Sequence, residues 1–116
     1  MPLYAAIIYS QDADWTAPEH AEEMGEYGAF SASVAEIMRG GAALFPTATA
    51  TTVRAKGKGG EVVVADGPYA ETKEVLSGFF LLECSDLDHV IEAASRIPAA
   101  WNGGAVEVRP VIPMAG

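Results

Sequence analysis

The sequence has 116 residues, half of them hydrophobic and a fifth charged, with a formal charge of −9. That is enough chain for a single domain spanning residues 1–116 with its own core, and the composition is globular rather than disordered. Only seven Lys and Arg stand against sixteen Asp and Glu, which argues against nucleic acid and anionic membrane surfaces, since both need a basic footprint.

The lone cysteine, Cys84, excludes an internal disulfide and any Cys-rich metal site. Its place in the apolar Phe79–Cys84 run predicts a buried, inert thiol. Met1-Pro2-Leu3-Tyr4 lacks the basic start and long apolar core of a signal peptide. No apolar run approaches the roughly 20 residues of a membrane span. A cytoplasmic protein is expected.

Residues 3–9 are almost continuously apolar, the pattern of a central strand covered on both faces. After the polar stretch Ser10–Asp14 and Trp15, Thr16 stands three residues before Glu19, a capping-box spacing, with Pro18 tolerable in a first turn. Ala21, Met24, Tyr27, Gly28, Ser31, Val34, Ala35 and Met38 recur at helical spacing, which predicts one amphipathic helix of about six turns. Arg39-Gly40-Gly41 is its expected stop. Gly25 and Gly28 weaken it in the middle; they either admit a neighbouring backbone or leave room for large side chains.

Ala42–Phe45 reads as a short strand broken by Pro46. Thr51–Ala55 and Glu61–Ala65 predict a hairpin across the flexible Lys56–Gly60 turn. A long connection follows from Asp66 to Ser77, then a strand over Gly78–Cys84. Asp86 caps a second helix carrying Leu87, Val90, Ile91, Ala94 and Ile97 on one face and ending at Pro98. Trp101–Gly104 is a turn and Ala105–Ile112 the last strand. The order suggests an α+β sandwich of ferredoxin-like type, an antiparallel sheet with two helices on one face. In Phe79-Phe80-Leu81-Leu82 consecutive side chains point to opposite faces, yet both faces are apolar. Two helices cover one face; a second copy in a two-fold homodimer is expected to cover the other.

The densest polar cluster is Asp66-Gly67-Pro68-Tyr69-Ala70-Glu71-Thr72-Lys73-Glu74, between the apolar runs Val62–Ala65 and Phe79–Leu82. With Tyr27–Phe30, Ala50–Arg54, Gly78–Phe80, Asp86–Asp88, Arg96–Pro98 and Val106–Val111, it closely resembles the DGPF-domain branch of the YCII-related proteins over nearly the whole chain. Tyr69 departs from that motif, which has Phe. The resemblance implies a dimeric α+β barrel of ferredoxin-like fold. It implies little about function, because DGPF proteins are mostly uncharacterised and many look associated with extracytoplasmic-function sigma factors. The wider family includes a dehydrochlorinase of chlorinated hydroxyquinols with a proposed His–Asp centre. By that resemblance the Asp corresponds to Asp66 and the His to His20.

Read as chemistry, Asp66 is a candidate general acid or base, or else the cap of its own turn. Tyr69 either meets a ligand or anchors the loop. Thr72 and Lys73 complete the loop's candidate contacts, and Tyr27 on the first helix is a further one. Arg54 and Arg109 are the cations suited to an anionic or phenolic ligand, with Glu107 sharing Arg109's strand parity. No metal-ligand spacing and no cofactor motif is present, and Lys56–Gly60 matches no phosphate loop. Two functions are open: a binder of a small molecule in a pocket near the Asp66-Gly67-Pro68-Tyr69 loop with metal-independent acid–base chemistry of lyase or hydrolase type, and a non-catalytic regulatory or interaction module in sigma-factor stress signalling.

Overall fold

The computed structural model describes residues 1–114. Its elements run β1 (Leu3–Gln11), α1 (Ala21–Ser33), β2 (Met38–Ala43), β3 (Thr51–Ala55), β4 (Val62–Asp66), β5 (Glu74–Glu83), α2 (Leu87–Ser95), α3 (Pro98–Trp101) and β6 (Ala105–Pro110). Short 3-10 turns occupy Pro18–His20 and Thr47–Thr49. One antiparallel sheet has the order β2-β5-β1-β6, while β3 and β4 pair only with each other. The fold is therefore mixed α+β. β5 lies between β1 and β2, so it splits the β1-α1-β2 unit. Among the described residues no helix is long and apolar enough to cross a membrane.

Strand parity divides the sheet. Tyr4, Ala6 and Ile8 on β1 and Leu82 on β5 share one face with Val106 and Val108, and pack against Phe30 and Val34 of the α1 region and Val90, Ala93, Ala94 and Ile97 of the α2 region. Leu82, Val90 and Ile97 are wholly buried there. The opposite face carries Ala5, Ile7 and Tyr9 beside Phe79 and Leu81, all half-buried, with Glu107 and Arg109 exposed at its β6 side. No element of the described chain packs on it as the helices do on the first face. Cys84 is fully buried; burial first, and the neighbouring Asp86 charge second, push its thiol pKa up.

Several local expectations are corrected. The first helix stops at Ser33 instead of Met38, because Val34 donates its N–H to both Phe30 and Ser31 as the chain turns out. From Met38 the backbone pairs with β5, so Arg39-Gly40-Gly41 lies inside a strand. Gly41 is there for strand approach: a Cβ would come 2.8 Å from the Phe79 carbonyl oxygen and 3.0 Å from the Phe80 ring. The expected capping box is absent, since Thr16 gives both its N–H and its hydroxyl to Asp14 Oδ1, at 2.9 and 2.6 Å. Asp86 does cap α2, accepting from His89 N at 2.8 Å. Pro98 opens α3 as its first residue, where a missing N–H costs nothing. Leu87 and Ile91 are exposed, so the buried stripe of α2 is Val90, Ala93 and Ala94.

The hairpin pairs Val53 with Val64 and Thr51 with Asp66. Gly57 and Gly59 take positive φ at its tip. It projects from the body. Val53, Val62 and Val64 are 63, 61 and 60% exposed, and the radius of gyration is 16.2 Å, against roughly 13 Å for a compact chain of this length.

Candidate functional site

A cavity of about 580 Å³ lies between α1 and the β2 side of the sheet. Trp15, Met24, Tyr27, Met38 and Phe80 form its apolar wall, while Gly28, Ser31 and Gly41 leave its volume free. Three sequence features create it. From Gly40 to Ala43, β2 is glycine and alanine, so that stretch of the sheet edge carries little bulk. Gly28 sits on the cavity side of α1, and a Cβ there would meet nothing within 4 Å. The register shift of β1 against β5 brings Ser77 beside Ser10, whose hydroxyl donates to Ser77 Oγ at 2.8 Å. Ser77 Oγ in turn donates to the Ile8 carbonyl at 3.4 Å, and among the described residues no fully buried side-chain polar atom lacks a partner. The cavity therefore recognises shape and apolar surface more than hydrogen bonds.

Tyr27 is the one lining group with a resolved titration shift. Desolvation first, then the Glu23 charge, push its phenol up to about 12, with the Ala99 backbone opposing. Tyr27 is consequently a neutral hydroxyl at physiological pH and not a base. His20 stands next to this cavity rather than in it. Its ring packs on Trp15 with centroids 4.6 Å apart, and its Nε2 is 3.7 Å from Glu19 Oε1.

Asp66 ends β4 and is exposed. Its carboxylate makes no hydrogen bond that closes the turn; Gly67, at φ +99°, donates its N–H to the Ala50 carbonyl at 2.8 Å, and Thr52 Oγ1 donates to the Gly67 carbonyl at 2.8 Å. No hydrogen bond or ion pair joins Asp66 to His20 among the described residues. Tyr69, 76% exposed, lies under the Arg54 guanidinium, 4.8 Å from the ring centroid. This pair ties the hairpin to the loop and is worth about 0.5–1 kcal/mol at such exposure. The Thr72 hydroxyl donates to the Glu74 carbonyl. Lys73 is exposed on the loop. Arg109 lies on the open sheet face opposite Ala5, without an ion pair to Glu107.

A second cavity, about 550 Å³, opens at the loop between Asp12, Pro46, Thr47, Pro68, Glu71 and Thr72. Asp12 holds its rim together by accepting from both the N–H (2.9 Å) and the hydroxyl of Thr47, which lowers the Asp12 pKa. Neither cavity is lined by Lys or Arg. Among the described residues no cluster of three or more His, Cys, Asp or Glu is placed to hold a metal.

The sequence pointed to Tyr27 but passed over Trp15, Met24, Ser31 and Phe80 as site residues. Their only signal was the unexplained glycine pair in the helix. The YCII-related domain model matches residues 3–115. An uncharacterized protein of Rhizobium meliloti (strain 1021) is 36% identical over 115 residues, which span 94% of this chain and 91% of the relative. The chain belongs to the YCII-related family.

Proposed function

We propose that this YCII-related chain, of the DGPF branch, is a cytoplasmic homodimer that binds a small apolar molecule in the cleft beneath α1. The observation that carries the reading is the cavity itself: mostly apolar, bordered by a helix glycine with open space before it, and, among the described residues, with no fully buried side-chain polar atom left unpartnered. Aminoanthracene, a neutral fluorescent probe, tests it. Binding in the wild type and its loss in Gly28→Leu is the expected result; equal binding in both proteins contradicts the site.

The homodimer, as a ferredoxin-like dimeric barrel, is supported by the half-buried face of Ala5, Ile7, Phe79 and Leu81, which a second sheet at ~10 Å would cover. A wild type that sediments as a monomer at micromolar concentration would remove it. An acid–base step through His20 and Asp66 then needs the second copy, since the two side chains do not meet within one protomer. A second reading, the interaction module, is favoured by the hairpin valines exposed at 60% and above. It predicts that Val62→Thr with Val64→Thr abolishes binding to a purified extracytoplasmic-function sigma factor while aminoanthracene binding persists.

A further inference from the structure

The charges of this chain are unevenly placed. Residues 1–38 hold seven carboxylates and no Lys or Arg; Arg39, between the lining residues Met38 and Gly40, is paired with Glu83 Oε2 at 2.9 Å, and Arg54, Lys56, Lys58 and Lys73 all lie on the hairpin and its loop. Half of the residues lining the α1 cavity, Trp15, Met24 and Tyr27 among them, come from the first of these segments. Around it, Glu23 lies close enough to Tyr27 to raise the phenol pKa and accepts from Asn102 Nδ2 at 2.8 Å, which holds the carboxylate near the ring. On the other flank, the Trp15–His20 stack is bracketed by Glu19, 3.7 Å from His20, and by Asp14, fixed by its two bonds from Thr16. On this flank the basic side chain is His20, and Glu19 lies against it. The walls are aromatic and sulfur-bearing: Trp15, Tyr27, Phe80, Met24 and Met38.

We infer that the α1 cavity selects a neutral or cationic aromatic molecule, an arylalkyl amine or alcohol, and discriminates against the carboxylate of the same shape. The inference rests on the reading of this cavity as the ligand site. Its physical basis is twofold. Carboxylates within about a Debye length of a low-dielectric cleft repel an anion and attract a cation, and aromatic faces favour an ammonium group over an anionic one. Arg54 and Arg109, the sequence's candidates for an anionic ligand, line neither cavity.

The test compares naphthylethylamine, naphthylethanol and naphthylpropanoate as competitors of aminoanthracene on the intact protein. The amine should bind tightest and the acid weakest, with a span of roughly tenfold at low ionic strength that shrinks at high salt. Glu19→Gln combined with Glu23→Gln should narrow the span while leaving the alcohol's affinity unchanged. An acid that binds as well as the amine overturns the charge selection even though the cleft remains a binding site. If aminoanthracene and all three competitors fail to bind, the cleft reading itself falls, and this inference with it. An acid that binds and is lost on Arg54→Ala would move the ligand site to the hairpin, which also overturns the inference.

Discussion

The two halves of this molecule use their residues in opposite ways. The helix-covered face of the sheet is closed: Leu82, Val90 and Ile97 are wholly buried, and beside them α1 stands off β2 to leave an apolar cleft without a lining cation. The hairpin and the 67–73 loop are open: valines lie in solvent, most of the chain's basic residues sit there, and their contacts include an exposed cation–π pair, the exposed Lys56–Glu61 ion pair and turn hydrogen bonds. The residues with the most chemistry in the sequence thus lie outside the core, while the best-formed cavity is made from residues with little chemistry at all. A motif's polarity marks where a chain is exposed before it marks where a ligand binds.

That contrast can be pressed at several strengths. Leu82→Ala should cost about 2–5 kcal/mol, as removal of a buried side chain leaves a cavity, whereas Val64→Ala should stay within about 0.5 kcal/mol. Urea denaturation measures both. A Val64→Ala loss that grows with protein concentration would show the hairpin covered by a second copy, and would break the contrast.

The two glycines bordering the cleft should respond with opposite signs. Gly41→Ala forces a Cβ against the Phe79 carbonyl and Phe80 ring and should destabilise by about 1–3 kcal/mol. Gly28→Ala enters open space in a helix and should stabilise by roughly 0.5–1 kcal/mol. Thermal melts of the two variants decide whether Gly28 serves the fold or the cleft. A loss of about 1 kcal/mol is expected for Asp86→Ala, which removes the cap of α2.

The smallest effects lie in pH. Asp12 has a lowered folded-state pKa from its bonds to Thr47, so its contribution is present above its ordinary value of 3.8 and is lost as pH falls through the folded value. Asp12→Asn should therefore flatten the acid limb of a stability–pH curve. Tyr27 shows the opposite sign: with a folded value near 12 against 10.0, its neutral form contributes stability below pH 10 that fades between 10 and 12. Ultraviolet titration of phenolate in Tyr27→Phe against wild type isolates it.

The main strands were legible because unbroken apolar runs at Leu3–Tyr9 and Phe79–Leu82 have few other homes than a covered sheet. The hairpin was legible from its glycine turn and β-branched flanks, with its second strand set one residue further along at Val62–Asp66. The boundary between α1 and β2 was hidden. Met38 continues the helical period, and Gly40-Gly41 has the form of a helix stop, while its actual requirement comes from a strand neighbour about 40 residues away in sequence. The cleft was hidden for a related reason. Its walls are apolar side chains indistinguishable in sequence from core, and its volume comes from glycine and serine, whose signal is what they lack.

Whether ligands enter the cleft beneath α1 and not the Asp66 loop can be read from backbone amide chemical shifts by NMR on titration with naphthylethanol. Saturable shifts are expected at Gly28, Ser31, Gly41 and Gly78, with Gly67, Tyr69 and Thr72 unmoved. Saturable shifts confined to the loop, with α1 silent, would contradict entry at the cleft.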